Sequence, residues 1–227
     1  ASQAAKIKLC LALDTGGIDD RSFNASAWAG AQASRVATAE YLPAASSADY
    51  APNIKTFVDK GCDLIVGVGF LTTSAIKEAA LANPKVKFAV IDDVIEGVAN
   101  AKSITFQTDE AAFMAGYLAA GMSKTKKVAT YGGMGFPSVT IFMDGFARGV
   151  AYWNQNKKKQ VQVLGWDLAK PDAGVFVGDF ADSNKALQIS NNFEQQGADI
   201  ILPVGGILGA SYAAASEKST KKNKPLT

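Results

Sequence analysis

The sequence has no histidine and only two cysteines in 227 residues. Without histidine neither a Ser-His-Asp relay nor an ordinary zinc site can be built, which removes most hydrolase mechanisms. The cysteines, Cys10 in KIKLCLAL and Cys62 in KGCDLIV, lack the spacing of a metal pair. Both fall at or inside expected strands, so the sequence favours two buried thiols acting as small hydrophobes over a disulfide. A long apolar run is also missing: none approaches the roughly 20 residues of a membrane-spanning helix. Charge of one sign is lacking too. Lys+Arg 23 against Asp+Glu 21 leaves +2, too balanced for a nucleic-acid footprint, and points to a neutral or modestly charged partner. The leading ASQAAKIK is small and polar, like a tether left when an exported protein loses its leader or like a cloning remnant.

What is present is ample core material, 48% hydrophobic residues, in a regular rhythm. Apolar runs of strand length at 7–13, 39–42, 63–68, 87–91, 103–106, 127–131, 160–165 and 199–204 alternate with helical patterns. The helices fall near 22–37, 50–60, 72–82, 108–122, 138–154, 183–196 and 208–218. This is the signature of βαβ units and parallel sheets, an α/β fold. The segments FVDKGCDLIVGVG (57–69) and FEQQGADIILPVG (193–205) match at Phe, Gly, Asp, Ile, Val and Gly with one constant offset. A helix end, a stop glycine, a buried strand and a Gly turn are thus written twice, which predicts two similar lobes, 1–125 and 126–227. Carried forward, the same offset puts the twin of the KFAVIDD strand past Thr227, so the second lobe is expected to be incomplete in this chain.

Four loops should lie at carboxyl ends of strands: DTGGIDDRSFN, GVGFLTTS, IDDVIEG and GGMGFPSV. In a parallel sheet they converge on one crevice, and two facing lobes would turn the crevice into a cleft. In the first loop, Asp19, Asp20 or Ser22 can cap the following helix, the favoured reading of the two acids. Asp14, at the very end of an apolar strand, reads as a ligand contact. Phe23 offers a stacking face beside the amide of Asn24, or else simply joins the core of its helix. Of Asp92 and Asp93, neighbours pointing opposite ways, we expect Asp92 to face the ligand and Asp93 to cap the next turn. Phosphate is disfavoured: neither GxxxxGK[ST] nor GxGxxG occurs, and acids crowd the first loop where a phosphate would need cations. An uncharged polar ligand fits better.

In the stretches DTGGIDDRSFNASAWAG, FAVIDD, ITFQTDEAAFMAGYLAAGMSKTKKVATYGGMGFPSV, FMDGFARGV and GADIILPVGGILGA the chain resembles the basic membrane protein family, substrate-binding lipoproteins of purine-nucleoside-receptor type that serve ABC importers. The resemblance implies a two-lobed type I periplasmic-binding fold, each lobe a parallel sheet flanked by helices, closing on a nucleoside, with purine favoured. It implies Asp14, Phe23, Asn24 and Asp92 as first-lobe ligand residues, with Phe23 stacking and Asn24 and Asp92 hydrogen-bonding, and Gly206 in the second-lobe turn. It further implies delivery to an ABC permease outside the cytoplasm. No cofactor, metal, nucleic acid or catalytic residue is expected, and the membrane would be reached only through a lipid anchor that this chain does not carry.

Two departures stand out. Leu202 and Pro203 occupy the place of an aromatic ring usual in relatives. An extra stretch of about a dozen residues within NKKKQVQVLGWDLAKPDAGVF brings Trp166 and Phe176. Either ring could supply the missing stacking face, although a surface hairpin is the favoured reading of the stretch. The family's ribose-binding acid and lysine would fall beyond Thr227. Two other function classes stay open: an enzyme acting on nucleosides through Asp14 or Asp92, and a ligand sensor on the same fold.

Overall fold

The computed structural model describes residues 6–209 of the chain. Alternating apolar runs form two parallel sheets. The first has the order β2-β1-β3-β4-β5, from β1 (Ile7–Ala12), β2 (Ala37–Leu42), β3 (Leu64–Val68), β4 (Lys87–Ile91) and β5 (Ala101–Ile104). The second has the order β7-β6-β8, from β6 (Lys127–Gly132), β7 (Gln162–Leu164) and β8 (Ile200–Val204). Helices α1 (Phe23–Gln32), α2 (Tyr50–Asp59) and α3 (Thr73–Ala82) connect the first sheet. The second carries α4 (Thr108–Met122), α5 (Pro137–Lys157) and α6 (Ser183–Gln195). Burial on both faces explains why the central strands read as continuous apolar runs rather than as alternation. In β3, IVGV at 65–68 is wholly buried. The expected helix 208–218 lies outside the described residues except at its start.

One expected element is shorter than the sequence suggested. The first helix stops at Gln32 rather than near 37, because Ala37 pairs with Ile7 in the sheet and the Val36 carbonyl accepts the Ile7 N–H at 3.0 Å. The sheet claims those residues.

Contacts divide the chain at Phe106 and Gln107, ahead of the 125/126 boundary expected from the repeat. The reason is α4, which packs against α5 of the second unit at backbone distance. A Cβ on Gly149 would strike the Phe113 carbonyl, and one on Gly116 the Phe146 carbonyl. The glycines on α4 and α5 let the helices meet main chain to main chain, and α4 goes with its partner.

The repeat is visible in hydrogen bonds as well as in sequence. Asp63 accepts the Lys8 N–H at 2.7 Å at the start of β1. Its counterpart Asp199 accepts Lys124 N–H at 2.6 Å, Thr125 N–H at 3.1 Å and the Ser123 hydroxyl at 2.7 Å just before β6. In both units an acid at the foot of one strand thus fastens the entry to its neighbour.

The cysteines overturn the expectation of free thiols. Cys10 and Cys62 form a disulfide within the first unit, with Cα atoms 6.2 Å apart. Parallel pairing of β1 with β3 sets Cys10 beside Ile65, which leaves Cys62, two residues before β3, within bridging reach. The extra stretch is likewise no hairpin. Its segment 165–175 is a loop whose ends meet, Val175 N–H to Gly165 carbonyl at 2.9 Å, with a 3-10 turn at Pro171–Ala173. Proline and a turn break the alternation an antiparallel pair needs, and Phe176 instead makes a parallel bridge with Gly132.

Candidate functional site

In the first sheet the strand order reverses between β1 and β3, the place where open parallel sheets gather ligands. Ala12 is paired with Gly67 and Val68 with Ile91, so Asp14, Gly69 and Asp92 follow at one level along the carboxyl edge. Asp14 comes off β1 into a turn closed by its own carboxylate: Oδ1 accepts the Gly16 N–H at 2.9 Å. The same oxygen accepts an amide hydrogen of Asn24 at 2.7 Å. Its other oxygen, Oδ2, stands 2.8 Å from where a Cβ of Gly69 would be, and the Phe23 ring 3.3 Å. Any side chain at position 69 would therefore displace both groups, and the positive φ of 96° there suits glycine as well.

Helix α1 is started by Asp20 and not by its formal N-cap Ser22, which makes no side-chain cap. Asp20, 1% exposed, accepts the N–H groups of Ser22 at 2.9 Å, Asn24 at 2.7 Å and Ala25 at 3.0 Å. It also accepts an amide hydrogen of Asn24 at 3.2 Å. The expected capping role thus belongs to Asp20; Asp19 is exposed and makes no hydrogen bond among the described residues. Held by two carboxylates, Asn24 is buried with its Oδ1 unpartnered. Phe23 is half-buried, one side packed on the cluster of Leu11, Leu13 and Val68. A buried acceptor without a donor costs about 1–3 kcal/mol.

Asp92 adopts a left-handed backbone, φ 67°, which aspartate tolerates better than bulkier residues. Its carboxylate accepts no hydrogen bond among the described residues, whereas Asp93 accepts the N–H of Val94 at 2.8 Å and closes the turn. Burial pushes the carboxyls of both Asp14 and Asp92 above the usual carboxylate range. At Asp14 the bonds from Asn24 and Gly16 counter part of that rise, and at Asp92 the neighbouring Asp93 adds to it.

The second unit repeats the plan, with the strand order reversing between β6 and β8. Over the turns that follow these strands lies an aromatic ring the sequence reading did not single out. Phe180 meets Gly133, and a Cβ on Gly205 would stand 3.1 Å from its ring. The signal was available in the glycine turns GGMG and VGG, which need a neighbour to cover them, but not in the position of Phe180 itself. Gly206 follows at φ 31° and opens the helical residues 206–209. Trp166 is 5% exposed and spends its indole N–H on Asp144 at 2.9 Å. Phe176 packs edge-on against it, ring centres 6.2 Å apart. Pro203 sits in β8 opposite Tyr131, and the Leu202 carbonyl is taken by the Thr130 hydroxyl at 2.8 Å.

Comparison with known proteins agrees with this layout. Residues 7–224 match the family described as ABC transporter substrate-binding protein, PnrA-like. The chain belongs to that family. It is 34% identical over 223 residues to a CD4+ T-cell-stimulating antigen of Listeria monocytogenes, covering 95% of this chain and 59% of that protein. It is 30% identical over 226 residues to the ABC transporter nucleoside-binding protein BmpA of Lactococcus lactis, covering 96% and 61%. Among solved structures, a solute-binding protein of an ABC transporter system from Aeropyrum pernix K1 superposes with a TM-score of 0.81 at 24% identity, covering 95% of this chain and 60% of that one. The chain thus spans about 60% of the length of these relatives. As a member of this family it has the type I periplasmic-binding fold, and the parallel sheets flanked by helices are its two units. No helix among the described residues is long and apolar enough to cross a membrane.

Proposed function

We propose that this protein captures a nucleoside, a purine nucleoside in preference, outside the cytoplasm and hands it to the permease of an ABC importer without a chemical step. Anchoring to the membrane through a lipid is part of the same reading. The observation that carries it is the constellation at the strand-order reversal of the first unit. There an unpartnered Asn24 Oδ1, the carboxylates of Asp14 and Asp92 and the ring of Phe23 share one edge. Three sets of acceptors call for N–H or O–H groups on the ligand, and the phenyl ring calls for a flat face. A nucleoside carries both and no net charge. Family membership and the name of the Lactococcus lactis relative support the same class. In the second unit we assign Phe180 and Gly206 to the ligand, in preference to Trp166, which is buried and tied to Asp144.

Calorimetric titration with adenosine, guanosine, inosine, cytidine and uridine tests the reading. Heats are expected for the purine members. Heats equal to dilution for all five would refute the nucleoside assignment, and release of free base during incubation would move the protein to the enzyme class.

A further inference from the structure

A hollow of about 340 Å³ in the second unit lies between α5 and the closed loop that follows β7, with Gly135 at the end of the GGMG turn in its wall. Its wall holds Asp144 and Arg148 from α5 and Trp166, Leu168, Asp172 and Phe176 from the loop side. Asp144 and Arg148 are four residues apart on one helix, the spacing at which an acid and a base ordinarily pair. They do not pair here. Asp144 is held by the indole N–H of Trp166 at 2.9 Å through Oδ1. Arg148 makes no ion pair or hydrogen bond with any described residue. Opposite charges thus line one hollow unpaired, together with apolar surface from Leu168 and Phe176.

We infer that this hollow is a second small-molecule site, taking a zwitterion of α-amino-acid type. The guanidinium of Arg148 presents a planar fork suited to a carboxylate. The free oxygen of Asp144 and the carboxylate of Asp172 suit an ammonium, and the apolar surface suits an aliphatic side chain. A ligand of one charge sign would gain from one wall and be repelled by the other, whereas a zwitterion satisfies both. The volume matches a ligand of that size. The loop that completes the hollow is the stretch around Trp166, so the site depends on residues 165–176.

The test follows the indole N–H resonance of Trp166, assigned through Trp166→Phe, while the protein is titrated with L-leucine, with leucinamide, which keeps only the ammonium, and with 4-methylpentanoate, which keeps only the carboxylate. Leucine is expected to shift the resonance saturably and to bind about tenfold or more tightly than either analogue. Arg148→Gln, a change at an exposed side chain, should erase the advantage of leucine over leucinamide. Phe23→Ala should leave leucine binding unchanged, so that loss of nucleoside binding and loss of this site can be told apart. No shift at millimolar leucine, or equal binding of a singly charged analogue, would overturn the proposal. So would retention of full leucine affinity in Arg148→Gln.

Discussion

Burial holds the carboxyls of Asp14 and Asp92 on the high side of their ordinary range, and the sign of that shift yields two predictions. An acid whose folded pKa is raised favours the folded state fully below its unfolded value of about 3.9, and that contribution is lost as pH rises through the folded value. At neutral pH both carboxylates are therefore a cost to the empty protein. Asp92→Asn is expected to leave the thermal midpoint unchanged or higher at pH 7, while weakening nucleoside binding by about 1.5–3 kcal/mol through loss of a charged acceptor. Titration of wild-type protein should show affinity falling as pH is lowered, with the fall beginning above the ordinary carboxylate range. A third expectation concerns the ring. Phe23→Ala should lose roughly 1–3 kcal/mol of binding, the worth of stacking a base on an aromatic side chain, while Asp19→Asn, at an exposed acid, should change it little; calorimetry on both variants checks the pair. At this scale the placement of Asp14, Phe23, Asn24 and Asp92 along the carboxyl edge of the first sheet was legible, because each follows a strand or opens a helix in a glycine-rich setting. Phe180 was not, since nothing in VGDFADS marks a ring that reaches back over turns from β6 and β8.

Between elements, the contact of α4 with α5 is the most exacting in the second unit. Gly149→Ala would drive a methyl into the Phe113 carbonyl, and overpacking of this kind typically costs about 1–3 kcal/mol. Chemical denaturation should show that loss with an unchanged denaturant slope, and nucleoside affinity should hold. The strands were readable from their apolar runs, and all eight expected runs overlap observed strands, β5 starting two residues early, because buried parallel strands leave so plain a trace. Less readable were the places where one element's extent depends on another: the end of α1 is fixed by the pairing of Ala37 with Ile7, and the allegiance of α4 by glycines on a helix far along the chain. Residues 165–175 defeated the hairpin reading for the same reason, since Trp166 is tied to Asp144 of α5.

For the molecule as a whole, the disulfide confines its effect to the first unit. Cys10 and Cys62 are separated by 52 residues, and closing a loop of that order typically contributes about 2–4 kcal/mol. Reduction, or Cys62→Ser, is expected to lower protection from hydrogen exchange in β1 to β5 while leaving β6 to β8 at their original level. Uniform loss across both sheets would contradict the division at Phe106. The pairing was hidden from the sequence because a buried strand cysteine looks alike as thiol or half-cystine; only the register of β1 against β3 brings the two together. The twofold plan, by contrast, was plain in the constant offset of the glycines and acids that bound β3 and β8.

The amide of Asn24 has both its hydrogens engaged, one by Asp14 and one by Asp20. Turning it over would set oxygen against two carboxylates, so this side chain has a single orientation before anything arrives. On the function proposed above, this oxygen can receive a hydrogen but its side chain can never offer one.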